Sequence, residues 1–146
     1  MCTFVTTGLN RRRNPPNHGL KPRGLRRVQK VKQEAELLGL TPYFGRRIYG
    51  AQDDFKTFSK KLVIARIIRE NGIRGEQLLS FGDGYVEIEN TKEVGGLAVA
   101  VASDEANNGS GQMDEWKRER LSGVGADVVI PDFRDAAPLL ELILGR

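Results

Sequence analysis

Residues 77–88 read QLLSFGDGYVEI. An apolar run enters Gly82-Asp83-Gly84, and a second acid, Glu87, follows Asp83 by one helical turn. A hairpin would account for the Asp-Gly pair but not for what comes next. Two further apolar runs, LAVAVAS and ADVVIP, also close on acids, Asp104 and Asp132. Three strand-like runs, each ending in a carboxylate, predict a site at one edge of a sheet, where open parallel sheets bind their ligands. Gly82 and Gly84 remove side-chain bulk on either side of Asp83, so backbone and carboxylate can approach a ligand closely. Asp83 and Glu87 together suit a hard divalent cation, most simply Mg2+ with several waters retained. The competing reading is structural, since Asp-Gly at a strand end also serves as a turn or a helix cap. The chain holds one histidine, His18, and one cysteine, Cys2. A His/Cys metal cluster is therefore not expected within it, and no internal disulfide is possible.

The elements that must position these residues follow from periodicity and punctuation. Ser59 is a candidate N-cap for KKLVIARIIREN (60–71), whose isoleucines form an apolar stripe, and Gly72 ends it. QLLSF is then a strand, and YVEIENTKEV (85–94) a short helix closed by Gly95-Gly96. LAVAVAS is a strand apolar on both faces, as a buried parallel strand should be. MDEWKRERLSGV (113–124) reads as an amphipathic helix with Trp116 as a packing residue, ADVVIP as a strand, and DAAPLLELIL (135–144) as a closing helix. Upstream, LRRVQKVKQEAELLGL (25–40) has helical spacing through Val31, Ala35 and Leu38, and 9–24, with three prolines, is expected to be irregular. The alternation predicts an α/β fold, a doubly wound parallel sheet with strands near 78–82, 97–102 and 127–130 and helices on both faces.

The 146 residues fit one domain with a sizeable core, and the 29% charged and 39% hydrophobic shares are those of an ordinary globular protein. No apolar run approaches the length of a membrane helix, so no membrane partner is expected. The net charge of +4 hides an asymmetry: residues 1–33 carry nine Lys/Arg and no acid, whereas 34–146 carry fourteen Lys/Arg against nineteen Asp/Glu. The expected organisation is a basic, disordered or irregular arm over 1–33 and an α/β core over 34–146. The arm contains no aromatic residue but Phe4, so base stacking has little support and nucleic acid is not an expected partner. It lacks the serines of a transit peptide, and the lone thiol fits a reducing compartment; a cytoplasmic location is the expectation.

Taken as a set, Lys60 opening a helix, then GIRGEQLLSFGDG, VEI, KEVGGLAVAVASDE and GADVVIPDF, the chain over roughly 34–146 resembles the C-terminal half of the haloacid dehalogenase-like (HAD) hydrolase superfamily. The resemblance implies an incomplete Rossmannoid core with no large cap domain. Gly82, Asp83 and Glu87 match that family's fourth motif, whose aspartate holds Mg2+. Lys60, with Lys61 as runner-up, matches the third-motif lysine that neutralises charge on the phosphoryl group. The second motif, a strand ending in a phosphate-binding Ser or Thr, is matched by TFVTTG at Thr6 or Thr7, for which a structural role is an equal reading.

The family's first motif, an apolar strand followed by Asp-x-Asp-x-Thr, is absent. Asp53-Asp54 has no apolar strand before it, and Asp104 and Asp132 follow strands but lack the x-Asp spacing. The resemblance thus implies a Mg2+-dependent phosphatase-type phosphohydrolase fragment that keeps the third and fourth motifs, acting on a phosphorylated small molecule. The alternative is a catalytically inactive HAD-like binding or interaction domain lacking the nucleophile. Loss of a central strand would also leave a gap or an exposed sheet edge, which makes self-association or a complementing chain an expected partner.

Overall fold

The computed structural model describes residues 23–45, 47–49, 59–107 and 109–145. Thr6, Thr7, the Asp53-Asp54 pair and all but the last two residues of the stretch 9–24 lie outside them; those two open the first helix. In order come α1 (Arg23–Leu37), α2 (Thr41–Phe44), α3 (Lys60–Asn71), a 3-10 turn (Gly75–Gln77), β1 (Leu79–Gly82), α4 (Tyr85–Glu93), β2 (Leu97–Val101), α5 (Glu115–Gly123), β3 (Val128–Ile130) and α6 (Ala136–Leu144). The described residues divide into two compact units, one within Val5–Ile73 and one containing Arg74–Arg146.

In the first unit, α3 has the bounds its sequence predicts. The Ser59 hydroxyl accepts a hydrogen bond from the Leu62 N–H at 3.2 Å. At the other end Gly72 takes a left-handed φ of 60°. Its N–H donates to the Arg69 carbonyl at 3.3 Å, and that of Ile73 to Ile68 at 3.2 Å, the paired bonds of a Schellman motif. Val63, Ile64 and Ile67 are the buried stripe. Earlier in this unit, Val31 and Ala35 line a cavity of about 180 Å3 with Leu40, Phe44 and Ile48. Leu38, expected on the same helical face, joins that lining just past the end of α1, although it is 72% exposed.

In the second unit the three strands form a parallel sheet in the order β1-β2-β3, with Leu79 beside Leu97 and Val99 beside Val128. Alternation along β2 divides the core. Ala98 and Ala100 pack with Ile88 of α4 and Leu121 of α5 on one face. Val99 packs with Leu79 and with Leu139 of α6 on the other. Two alanines toward the paired helices let them lie close to the strand, while the larger Val99 meets the single helix opposite. All three residues are wholly buried, which is why LAVAVAS reads as apolar throughout. The doubly wound α/β architecture expected from the sequence is therefore present, with each strand one to three residues shorter than its apolar run.

Candidate functional site at the carboxyl edge of the sheet

Because the three strands are parallel, Asp83, Asp104 and Asp132 all lie beyond carboxyl ends at one edge, as the sequence predicts. They do not converge. Among the described residues no group of three or more His, Cys, Asp or Glu side chains is placed to hold a metal ion.

Asp83 and Glu87 are brought to the same turn. Asp83 is exposed and makes no hydrogen bond or ion pair among the described residues, whereas Glu87, in the first turn of α4, is only 3% exposed. The glycines on either side of Asp83 are required by this packing. A Cβ on Gly82 would stand 2.7 Å from the Glu87 Cβ, and one on Gly84 would stand 2.9 Å from the Glu87 Oε2. The GDG turn is therefore folded against the Glu87 side chain, with one carboxylate sheltered inside it and the other presented to solvent.

The Glu87 backbone is fixed from below by two residues with no distinguishing pattern in the sequence, Thr91 and Ser80. Thr91 donates its hydroxyl proton to the Glu87 carbonyl at 2.8 Å, and its oxygen lies 2.7 Å from the Ser80 hydroxyl. Thr91 has a single proton to give, so Ser80 is the donor between the two. All three residues are buried, and the chain of bonds ties β1 to α4 under the turn. The i,i+4 spacing of Glu87 and Thr91 was visible in the sequence; the contact with Ser80, across the β1–α4 turn, was not.

The other two acids are committed to their own loops. Asp104 accepts hydrogen bonds from the Ala106 N–H at 3.0 Å, the Asn107 N–H at 3.2 Å and the Asn107 side-chain amide at 2.9 Å. The Asn107 amide is the strongest of the influences that hold its carboxyl below the usual range, followed by the Asn107 N–H; Lys117 adds to them and desolvation opposes. Asp132 accepts from the Arg134 N–H at 2.8 Å and pairs with the Arg134 Nε at 3.0 Å. Arg134 also donates to the Gly109 carbonyl, so it latches the loop after β2 to the loop after β3. Between these loops opens a cavity of about 400 Å3, lined by Ser103, Asp104, Gln112, Asp132 and Phe133 among others. Its charged groups are satisfied within its walls, and neither aspartate is poised as a free nucleophile.

Lys60 stands at the first position of α3, half-buried, with Lys61 exposed beside it. Both belong to the first unit, and Asp83 and Glu87 to the second. Trp116, expected to pack, is instead 65% exposed.

A parallel sheet with helices on both faces has a counterpart among solved structures. The crystal structure of a conserved haloacid dehalogenase-like protein of unknown function from Agrobacterium tumefaciens str. C58 matches it with a TM-score of 0.63 and 19% sequence identity, over 81% of this chain and 51% of that one. At that identity the likeness speaks for the fold alone, and this chain spans about half the length of the protein it matches. No protein-family model matches the chain, and no curated protein matches it.

Proposed function

We propose that the chain carries the metal- and phosphate-binding part of a HAD-type, Mg2+-dependent phosphohydrolase and corresponds to the C-terminal portion of such a protein. In this reading Asp83 and Glu87 hold Mg2+, Lys60 offsets phosphoryl charge, and Thr6 or Thr7 contacts a phosphate oxygen. The substrate is a phosphorylated small molecule, and the setting is the cytoplasm. Among the described residues no helix is long and apolar enough to cross a membrane.

The observation that carries the proposal is the GDG turn. Its glycines admit the Glu87 carboxylate beneath an exposed Asp83, and a buried carboxylate demands neutralisation by a proton, by donors or by a cation. The donor set fits Mg2+, which takes oxygen ligands, one or two carboxylates at a time, and fills its remaining positions with water and substrate phosphate. Bound there, the cation would withdraw charge from the phosphoryl oxygens. The chain's own part is to present Asp83 at the sheet edge and to keep Glu87 in place through Thr91 and Ser80. Lys60 adds a second line of support. It and Lys61 open α3 with no acid in the first turn. There the helix dipole favours a bound anion by about 0.3–1 kcal/mol.

The test is a calorimetric or chemical-shift titration with Mg2+, with and without inorganic phosphate, on the parent and on Asp83→Asn. The expected affinity is weak, millimolar or about 4 kcal/mol. Phosphate strengthens it, and the variant loses it with the fold intact. Identical responses from both proteins would make Asp83 a strand-end turn residue and end the metal reading.

A second reading, a HAD-like domain that binds phosphate without turning it over, is favoured by one observation: no apolar strand in the sequence is followed by Asp-x-Asp. A complementing chain or a second copy supplying that motif would restore the first reading.

A further inference from the structure

Three cations project from α5. Lys117 pairs with Glu105 at 2.6 Å, and Arg118 with Glu115. Arg120 makes no ion pair or hydrogen bond among the described residues. Its guanidinium instead lies 4.7 Å from the centroid of the Tyr85 ring and 5.1 Å from that of the Trp116 ring. Tyr85 is the first residue of α4, two positions beyond Asp83, and Trp116 lies in the first turn of α5. Both helices begin where parallel strands end, so both rings stand at the carboxyl edge, and Arg120 reaches up one turn of α5 to join them. The rings are not buried: Tyr85 is 41% and Trp116 65% exposed.

A guanidinium stacked on rings uses its face and leaves its N–H donors, which lie in its plane, to an anion. An exposed indole in turn offers a flat surface to another planar group. We propose that Tyr85, Arg120 and Trp116 form a recognition site for small molecules that carry a planar ring and a phosphate together. The ring would stack on Trp116, and the phosphate would take the in-plane donors of Arg120, which match phosphate oxygens two at a time. Calling that ligand a substrate rests on the phosphohydrolase reading; the binding itself does not.

Trp116 is the single tryptophan, so its fluorescence reports on the site directly. Adenosine monophosphate, adenosine and ribose 5-phosphate serve as probes, titrated without Mg2+. The nucleotide is expected to quench Trp116 and to bind roughly tenfold more tightly than either half alone, since stacking on an aromatic side chain has about that worth. Arg120→Gln should reduce nucleotide affinity toward that of adenosine while leaving the thermal midpoint close to the parent's. Trp116→Leu, followed by calorimetry, should bind the nucleotide no better than ribose 5-phosphate. Equal affinity for nucleotide and ribose 5-phosphate in the parent would overturn ring recognition. A lowered midpoint with unchanged nucleotide affinity in Arg120→Gln would reduce the cluster to a brace between α4 and α5. Asp83→Asn separates the two claims: if it leaves the Mg2+ response unaltered while the nucleotide still quenches Trp116, the metal reading falls and this site stands.

Discussion

Glu87 sets the tolerances of its neighbourhood, and the glycines around β1 and α4 grade what a single methyl would cost. At Gly84 an added Cβ meets the Glu87 Oε2 at 2.9 Å, the far end of a side chain that can swing. At Gly82 it meets the Glu87 Cβ at 2.7 Å, an atom that moves only if α4 moves. At Gly75 it would overlap the backbone carbonyl of Val94, where nothing can give without displacing the end of α4. We therefore expect Gly84→Ala to cost least, Gly82→Ala an intermediate amount of about 1–3 kcal/mol, and Gly75→Ala the most, by urea denaturation. Gly82→Ala should also weaken the Mg2+ response although Asp83 is untouched. The reverse order would mean that the turn does not hold Glu87 as described.

Between elements, the joint that ties α4 to both β2 and the start of β3 is ionic. The Lys92 Nζ donates to Asp127 Oδ1 at 2.7 Å, and Asp127 Oδ2 accepts the Ala98 N–H at 2.8 Å. Desolvation is the largest single influence on Asp127 and pushes its carboxyl upward, but the Ala98 N–H and the bond and charge of Lys92 together outweigh it and hold it below the ordinary range. A carboxyl lowered in the folded state contributes fully above its unfolded value, near 3.9, and loses that contribution as pH falls through the folded one. Asp127→Asn should thus be less stable than the parent at neutral pH, by about 1 kcal/mol or less for so open a pair. The gap should close in denaturation curves taken from pH 5 downward; a constant gap would show that the charge is irrelevant. The elements themselves were legible: the Ser59 cap, the Gly72 and Gly95 stops and the two-faced apolar run of β2 are local signals, and local signals set helix and strand ends. The candidate site was half legible. Asp83 and Glu87 announce themselves by type and spacing, whereas the Ser80–Thr91 bond, the Arg134 latch and the Tyr85–Arg120 contact join residues that only the tertiary fold brings together. Trp116 read as packing because an indole in a helix usually is; α5 buries only Leu121, which leaves the ring outside.

At the scale of the whole molecule the decisive question is where an attacking group would come from. Phosphoryl transfer through an aspartyl nucleophile needs a carboxylate free to approach phosphorus in line, with a cation and a lysine to spread the charge. Asp104 and Asp132 follow the right kind of strand, yet Asp104 is spent on the amides of Ala106 and Asn107, and Asp132 on the backbone and guanidinium of Arg134. Freeing either would give up the hydrogen bonds that order the loops walling the 400 Å3 cavity. Asp83 makes no ion pair or hydrogen bond among the described residues, but in the proposed reading it would hold Mg2+ and so would not be the attacking group. We therefore expect this chain, supplied with Mg2+ and a generic phosphate ester, to show turnover indistinguishable from buffer, even where it binds the ester. Robust hydrolysis abolished by Asp83→Ala would overturn this. Repeating the assay with Asp104→Asn and Asp132→Asn would then show whether one of those loops opens to supply the nucleophile. If turnover survived both, the attacking group would have to come from another part of this chain or from a second copy of it.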